Sequence, residues 1–271
     1  VLVVIILVML KNKRIASYQL WQWSPVQSSL LKAGLKLGLP IGLQVFAEVA
    51  IFAVVSLQMA KFSSQVIAAH QSAMNFATLL YAFPVSVSMA LPIVISYEIG
   101  ANRPQAARQY AIIGRLTAIL FAGLTLTFLY FNRQMVAGWY GQNPVFIRLT
   151  ADFLVFALFF QLADAFTAPI QGILRGYKDT TVPFLLGLIS FWSLTFPIAF
   201  LLEGTTDLGP KAYWVGLIVG IFACGITLNI RLDKENSKVP TYKGVAANNS
   251  ALEASLEKIG LVSLPTAKKG A

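Results

Sequence analysis

Long apolar runs alternate with short polar connections along almost the whole chain. Each run is long enough for a helix to cross the hydrocarbon core of a bilayer, which is about 30 Å thick. The pattern predicts an all-α, polytopic membrane bundle of six full transmembrane helices, preceded by the end of another helix. The predicted spans are about 37–60, 66–97, 111–130, 146–174, 183–202 and 213–230, after the apolar segment 1–10.

The polar segments divide the chain into four parts. Residues 1–10 are interpreted as the end of a truncated transmembrane helix, because the basic residues follow this run, whereas a signal peptide carries them before it. The connection 11–36 comes next, and the six-helix lobe covers residues 37–232. Residues 233–271 form a polar tail.

The composition supports a membrane protein and excludes several other classes. Hydrophobic residues make up 57% of the chain and charged residues 12%, whereas soluble domains carry roughly 25% charged residues. The net charge of +10 does not indicate a nucleic-acid partner, because the cations lie in the connections between apolar runs. One Cys and one His exclude the common Cys/His zinc motifs, and the chain has no nucleotide-binding motif, so we expect no cofactor.

The basic residues divide the connections into two groups when successive connections are assigned to opposite sides. One group consists of 11–36, 100–115, 172–182 and the tail. It holds all Lys and Arg residues except Lys61, Arg133, Arg148 and Lys211. The positive-inside rule therefore places this group, and with it the C-terminus, in the cytoplasm.

Two acidic residues lie deep inside predicted spans. Glu48 is in the middle of the first full span, and Asp164 is well inside the fourth. Counted from Lys36 and Arg175, the nearest cations of the cytoplasmic group on the same helices, they lie about 18 and 16 Å from the same membrane face. An acid at such depth is costly and is usually functional. The two positions therefore predict a shared site.

Polar residues recur at helical spacing around this depth. Gln161, Asp164, Thr167 and Gln171 share one face of the fourth span, and Gln71, Asn75 and Thr78 share one face of the second. Such faces are expected to meet protein or water and not lipid. His70, near the outer end of the second span, is interpreted as a hydrogen-bonded structural residue.

Two carboxylates in a partly desolvated cavity favour the uptake of a proton, Na⁺ or an organic cation. Competition between such cations is the minimum requirement for antiport. Three alternatives stay open: Glu48 paired with a basic residue, a purely structural acid pair sharing a proton, and an intramembrane hydrolase with an acid dyad. The hydrolase has no independent support in the sequence.

Three segments resemble the NorM-like branch of the multidrug and toxic compound extrusion (MATE) transporters. They are GLPIGLQVFAEVAIFAVV (38–55), AAHQSAMNF (68–76) and QLADAFTAPIQGILRGYKDT (161–180). The resemblance implies a twelve-helix relative with two six-helix lobes. In that case 37–232 is the C-terminal transport lobe, 11–36 is the cytoplasmic connection between lobes, and the N-terminal lobe is the missing partner.

The same resemblance implies functional residues. The acids of the matching segments are Glu48 and Asp164, which would bind the coupling cation, Na⁺ or H⁺. Tyr81 matches a position where a relative has an aromatic residue near the ion, and Phe160 stands where a relative has a tyrosine. The residues expected around the ion and substrate cavity are Tyr81, Phe160, Gln161, Gln44 and Asn75.

The function implied is a secondary active antiporter in a bacterial inner membrane, which exports cationic, amphipathic compounds in exchange for Na⁺ or H⁺. A flippase for lipid-linked oligosaccharides is the alternative within the same superfamily, and it would be expected to present cations to a pyrophosphate. A structural membrane subunit is the other alternative, but it leaves the two polar faces unexplained.

Overall fold

Six long helices make up the part of the chain that the computed structural model describes, residues 27–238. The predictions for segment 1–10, for most of the 11–36 connection and for the tail beyond 238 lie outside the described residues. The helices are α1 (Ser28–Met59), α2 (Ser64–Gly100), α3 (Pro104–Gly138), α4 (Pro144–Gly176), α5 (Thr181–Thr205) and α6 (Lys211–Lys238).

All six helices are long and apolar enough to cross a membrane, and residues 27–238 contain no strand. The predicted all-α bundle with six full spans is thus confirmed. Every helix is longer than its predicted span; α3, for example, begins at Pro104 and ends at Gly138. An apolar run marks the lipid-facing part of a helix, whereas its backbone hydrogen bonds continue through the polar residues on either side.

The sequence also predicts two helix starts, one at Asn143-Pro144 and one with Thr181 as the N-cap, and the structure tests both. Asn143 and Pro144 were predicted to begin a helix, and Asn143 is the N-cap of α4, where its side chain accepts a 2.9 Å hydrogen bond from the backbone N–H of Val145. The prediction that Thr181 caps α5 is wrong. Thr181 is already helical, and the N-cap is Thr180, whose backbone is close to helical and whose side chain makes no capping hydrogen bond.

Helix α1 runs from Ser28 to Met59 through Pro40, where the sequence predicts a short surface helix followed by a separate span from Leu37. The described residues before Pro40 belong to a compact unit of their own, and Pro40 begins the second unit. The bundle and its site, described below, consist of residues from Pro40 onward.

Helix α4 lies at the centre of the bundle and packs against α2, α3 and α6, while α5 packs against α6. Small residues permit the close approach. A Cβ atom at Gly172 would collide with the backbone of Ser88 on α2, and one at Gly216 or Gly220 on α6 would collide with Thr195 on α5. Without side chains at these points the backbones can pack closely and gain dispersion contacts.

The part of α1 that follows Pro40 is joined to the bundle through side chains. Ile51, Val55 and Met59 are buried on the face of α1 that meets the core. The ring of Phe52 packs edge-on against Phe160 of α4, with the centroids 5.6 Å apart. The opposite face of α1, with Phe46 and other large apolar residues, is exposed, as a lipid-facing surface would be.

Side-chain contacts at the helix ends support the predicted alternation of the connections. At one end, Lys61 after α1 donates to the hydroxyl of Tyr213 at the start of α6. At the other end, Asp179 in the connection after α4 pairs with Arg231 near the end of α6. Successive connections thus lie at opposite ends of the bundle. The cytoplasmic assignment of the second end stays a prediction.

Candidate functional site

A cavity of about 340 Å³ lies between α1, α2 and α4, with further wall residues from α5 and α6. Its charged wall residues in the described part of the chain are Glu48, Asp164 and Arg175. The structure therefore brings the two acids predicted to share a site to the wall of one cavity. Aromatic side chains complete much of the wall, namely Phe52, Tyr81, Phe160 and Phe191.

The Glu48 carboxylate is held through one of its two oxygens. Gln44, one turn earlier on α1, and Gln171 on α4 each donate an Nε2 hydrogen bond of 3.1 Å to Glu48 Oε1. None of the described residues donates a hydrogen bond to Oε2. The two amides orient the carboxylate and leave its second oxygen available to a ligand.

Asp164, unlike Glu48, is not held by hydrogen bonds from other described side chains. It lines the cavity from α4, and no side chain in the described range 27–238 donates a hydrogen bond to it. Its neighbour Thr167 does not turn towards it, since the Thr167 hydroxyl donates to the carbonyls of Ala163 and Ile221 instead. An isolated carboxylate in an apolar wall is unfavourable without a cation, so this position is suited to a transient positive partner.

Arg175 is a charged residue of the cavity wall that the sequence interpretation did not include in the site. It was assigned to a cytoplasmic connection, but it lies in the last turn of α4 and lines the cavity. One guanidinium nitrogen donates to Gln44 Oε1 at 3.4 Å. Extending the polar face of Asp164 and Gln171 by four residues reaches Arg175, and this spacing is the signal that could have identified it.

The other predicted cavity residues are placed as follows. Tyr81 and Phe160 line the cavity, and Gln44 contacts Glu48 and Arg175. The structure does not bring Gln161 and Asn75 to the cavity wall. Gln161 is buried, and its Nε2 donates to the Leu80 carbonyl at 3.1 Å, which joins α4 to α2.

Asn75 lies on the exposed side of α2 instead, where its Oδ1 accepts a 2.9 Å hydrogen bond from the hydroxyl of Tyr140. Helical spacing alone placed Asn75 on a polar face of α2. In the structure the hydroxyl of Tyr140, in the connection after α3, is the hydrogen-bond partner of Asn75, and Asn75 does not line the cavity.

The part of the chain described by the structure contains no group of three or more His, Cys, Asp or Glu residues that could hold a metal ion. A Na⁺ ion would instead be held by the carboxylates of Glu48 and Asp164, supplemented by neutral oxygens, which hard cations accept as ligands. Na⁺ binding at these two residues stays a prediction.

The helical arrangement and the sequence agree with one family. The family model MatE matches residues 40–201. The chain belongs to the MatE family. The match covers α2 and α4 in full and the part of α1 that carries Glu48, so it includes every charged residue of the cavity wall.

Curated relatives extend the similarity. A probable multidrug resistance protein NorM of Streptococcus pneumoniae is 53% identical over 227 residues, which cover 84% of this chain and 50% of the relative. A protein of the same name from Bacillus subtilis is 48% identical over 200 residues, which cover 74% of this chain and 44% of the relative. The MatE chain thus spans about half the length of the curated relatives it matches.

Solved structures show the same fold. A eukaryotic MATE transporter superposes with a TM-score of 0.77 at 16% sequence identity, over 88% of this chain and 55% of that chain. An outward-facing multidrug resistance MATE family transporter gives a TM-score of 0.70 at 16% identity, over 81% of this chain and 49% of that chain. At this identity the likeness shows the fold alone.

Proposed function

We propose that this MatE chain supplies one half of a secondary active exporter, which moves cationic, amphipathic compounds outward in exchange for Na⁺ or H⁺. The observation that carries the proposal is the pair of acids, Glu48 and Asp164, which come from different helices and line one apolar cavity. The names of the NorM relatives support the drug-export part of the proposal.

The cavity wall fits a flat hydrophobic cation. A volume of about 340 Å³ lies at the lower end of the range for small-molecule sites, roughly 300–1,000 Å³. The rings of Phe52, Phe160 and Phe191 offer apolar and quadrupolar surfaces to a planar aromatic ligand. The acids supply the complementary charge.

The same acids would bind the coupling cation. Na⁺ or a proton at Glu48 and Asp164 competes with a cationic drug, because both neutralise the same two carboxylates. Loading one cation then expels the other, and an ion gradient supplies the free energy, about 2.3 kcal/mol per charge for each 100 mV. Alternating access would require a second lobe as partner, in a bacterial inner membrane with the C-terminus of this chain in the cytoplasm.

The flippase alternative gains one supporting observation, since Arg175 provides a cation on the cavity wall. A pyrophosphate would nevertheless face two acids and one guanidinium, so the wall as a whole favours cations. A purely structural membrane subunit would have no use for a cavity in which no side chain of residues 27–238 donates a hydrogen bond to Asp164.

The test is ethidium efflux from bacterial cells that lack their own drug exporters. The chain is joined behind the first half of the Streptococcus pneumoniae relative, and efflux is measured at fixed pH with Na⁺ or with choline as the external cation. Export driven by Na⁺ or by a pH gradient is expected. A correctly inserted, monodisperse protein that exports nothing under either gradient would contradict the proposal.

Variants of the acids assign the site. Glu48→Gln and Asp164→Asn should each abolish ion-dependent efflux while leaving expression intact, because each removes half of the carboxylate pair. Asp207→Asn, at an exposed acid in the connection before α6, is the matched control and should export normally. Unchanged efflux in both cavity variants would contradict the assignment. Export of a pyrophosphate-linked lipid in place of ethidium would favour the flippase.

A further inference from the structure

Arg175 is connected to the acid site through a neutral amide and not through an ion pair. Its guanidinium donates to Gln44 Oε1 at 3.4 Å, and Gln44 Nε2 donates to Glu48 Oε1 at 3.1 Å. Among the ion pairs found within residues 27–238, none includes Arg175, Glu48 or Asp164. The Gln44 amide is thus oriented by a cation on its oxygen side and an anion on its nitrogen side.

The inserted amide leaves unused bonding capacity on both charged groups. Within residues 27–238, the buried Arg175 Nε has no hydrogen-bond partner, and Glu48 Oε2 receives no hydrogen bond. A direct Arg–Glu pair would form two parallel hydrogen bonds and neutralise the carboxylate. Here Arg175 is held back from Glu48 by one side chain, so the carboxylate remains open to a cation in the cavity.

A basic residue in the last turn of a helix has a simpler explanation, since it interacts favourably with the helix dipole. The helix dipole requires only a cation near the helix end. Lys178, which is exposed to solvent two residues beyond α4, would meet that requirement without entering the cavity. The dipole does not explain the contact of Arg175 with Gln44 or its place on the cavity wall.

The charges on the wall determine how tightly a cation is held. With both acids ionised, the three charged wall residues sum to one negative charge, and without Arg175 they would sum to two. A positive charge on the same wall opposes cation binding: at the effective dielectric of a protein surface, a like charge roughly 12 Å away lowers the affinity about tenfold. An exporter must release its cation as well as bind it.

We propose that Arg175, held in place by Gln44, is the residue that limits the affinity of the Glu48–Asp164 cavity for cations and so permits their release. The inference rests on the proposed function, because it assumes that the cavity binds cations. It assigns a specificity-determining role to a residue outside the acid pair.

The test measures dye binding to the purified chain in lipid nanodiscs by fluorescence titration. Ethidium is the cationic probe, and Nile red, which is uncharged, is the reference. Arg175→Gln should strengthen ethidium binding by about tenfold and leave Nile red binding within about twofold. Arg175→Lys keeps the charge and should stay within about threefold of the unsubstituted chain for both dyes.

Lys178→Gln is the matched control, because it removes a cation near the same helix end but outside the cavity wall. It should leave both dyes unaffected. Arg175→Met, which keeps the apolar stem of the side chain, replaces Arg175→Gln if that variant does not fold. Folding is checked through the buried thiol of Cys224, which a thiol-reactive dye reaches only on unfolding.

The outcomes separate the inference from the proposed function. Failure of the unsubstituted chain to bind ethidium would overturn the proposed cation site itself. Ethidium binding by the unsubstituted chain, with no gain in the Arg175→Gln and Arg175→Met variants, would overturn the role of Arg175 alone. An equal gain for ethidium and Nile red would also overturn it, because a charge effect cannot act on an uncharged dye.

Discussion

Trp214 donates a 3.1 Å hydrogen bond from its indole Nε1 to Nδ1 of His70, and this contact fixes the tautomer of the histidine. An indole N–H can only donate, so Nδ1 must be the acceptor and Nε2 must carry the proton. Nε2 then donates to the hydroxyl of Ser56 at 3.3 Å. A neutral imidazole on α2 therefore links Trp214 of α6 to Ser56 of α1. Ser56 lies on the same helix as Glu48, eight residues or about 12 Å further along its axis.

Replacing His70 by Leu should lower the stability of the bundle. His70 and Trp214 are fully buried, so the substitution leaves the indole N–H without a partner and removes a link to α1. We expect the free energy of unfolding to fall by about 2–4 kcal/mol, measured by the reaction of the Cys224 thiol with a fluorescent dye on heating. Asn75→Leu, at an exposed position of the same helix, is the control. Equal melting of both variants would contradict the structural role of His70.

Helix packing gives a second prediction, from two glycines of different surroundings. Gly172→Ala should destabilise the protein by about 1–3 kcal/mol, because the new Cβ would collide with the backbone of Ser88. Gly123→Ala, inside α3 with open space around the new methyl group, should be neutral or stabilising by up to about 1 kcal/mol, because alanine favours the helix. The same melting experiment compares them. A Gly172→Ala variant as stable as Gly123→Ala would contradict the close packing of α2 against α4.

The sequence was sufficient to predict the six helices because lipid exposure demands apolar runs, and these are visible without tertiary information. Helix ends were less predictable. Residues such as Pro104 and Gln105 lie outside any apolar run, yet they begin α3. Capping was predictable where the chemistry is specific, as at Asn143-Pro144, and failed at Thr180-Thr181, where two adjacent residues of the same type offer equivalent caps.

The site was partly predictable for a similar reason. Glu48 and Asp164 are conspicuous because an acid in an apolar run needs an explanation, and counting residues from the helix ends gave them a common depth. Arg175 was missed because a basic residue near a helix end satisfies the topology rule by itself. Such a side chain can extend into the cavity or towards the membrane surface. Arg175 extends into the cavity, where it contacts Gln44 on α1, and a contact between two helices cannot be read from the residue pattern of one helix.

The orientation in the membrane can be tested with single cysteines in a Cys224→Ser background. Gln105→Cys lies in the connection predicted to be cytoplasmic, and Asp207→Cys lies in one predicted to be external; both positions are exposed. In intact cells a membrane-impermeant maleimide should label Asp207→Cys and spare Gln105→Cys. Inverted vesicles expose the cytoplasmic face, so there the same reagent should label Gln105→Cys and spare Asp207→Cys. Both variants should react once the membrane is permeabilised. The reverse pattern would contradict the positive-inside assignment, and equal labelling in intact cells would contradict the alternation of the connections.

Two ion pairs of equal length should differ in their contribution to stability. Arg231 Nε lies 2.7 Å from Asp179 Oδ2 and Lys211 Nζ lies 2.7 Å from Asp152 Oδ2. The Asp179 side chain is 12% exposed, whereas that of Asp152 is 47% exposed. Water solvates an exposed carboxylate whether or not it is paired, so Asp152→Asn should change the free energy of unfolding by less than about 1 kcal/mol.

Asp179→Asn should cost more, about 1–2 kcal/mol, because it weakens the contact that joins the connection after α4 to the end of α6. The guanidinium of Arg231 keeps its second carboxylate partner, Glu235, which lies on α6 itself. Thermal unfolding in nanodiscs at low and high salt compares the two variants. High salt should further reduce the loss of unfolding free energy caused by Asp152→Asn, because salt screens exposed charges. It should leave most of the loss caused by Asp179→Asn in place. If Asp152→Asn proves the more damaging change, solvent exposure is not what distinguishes the two pairs.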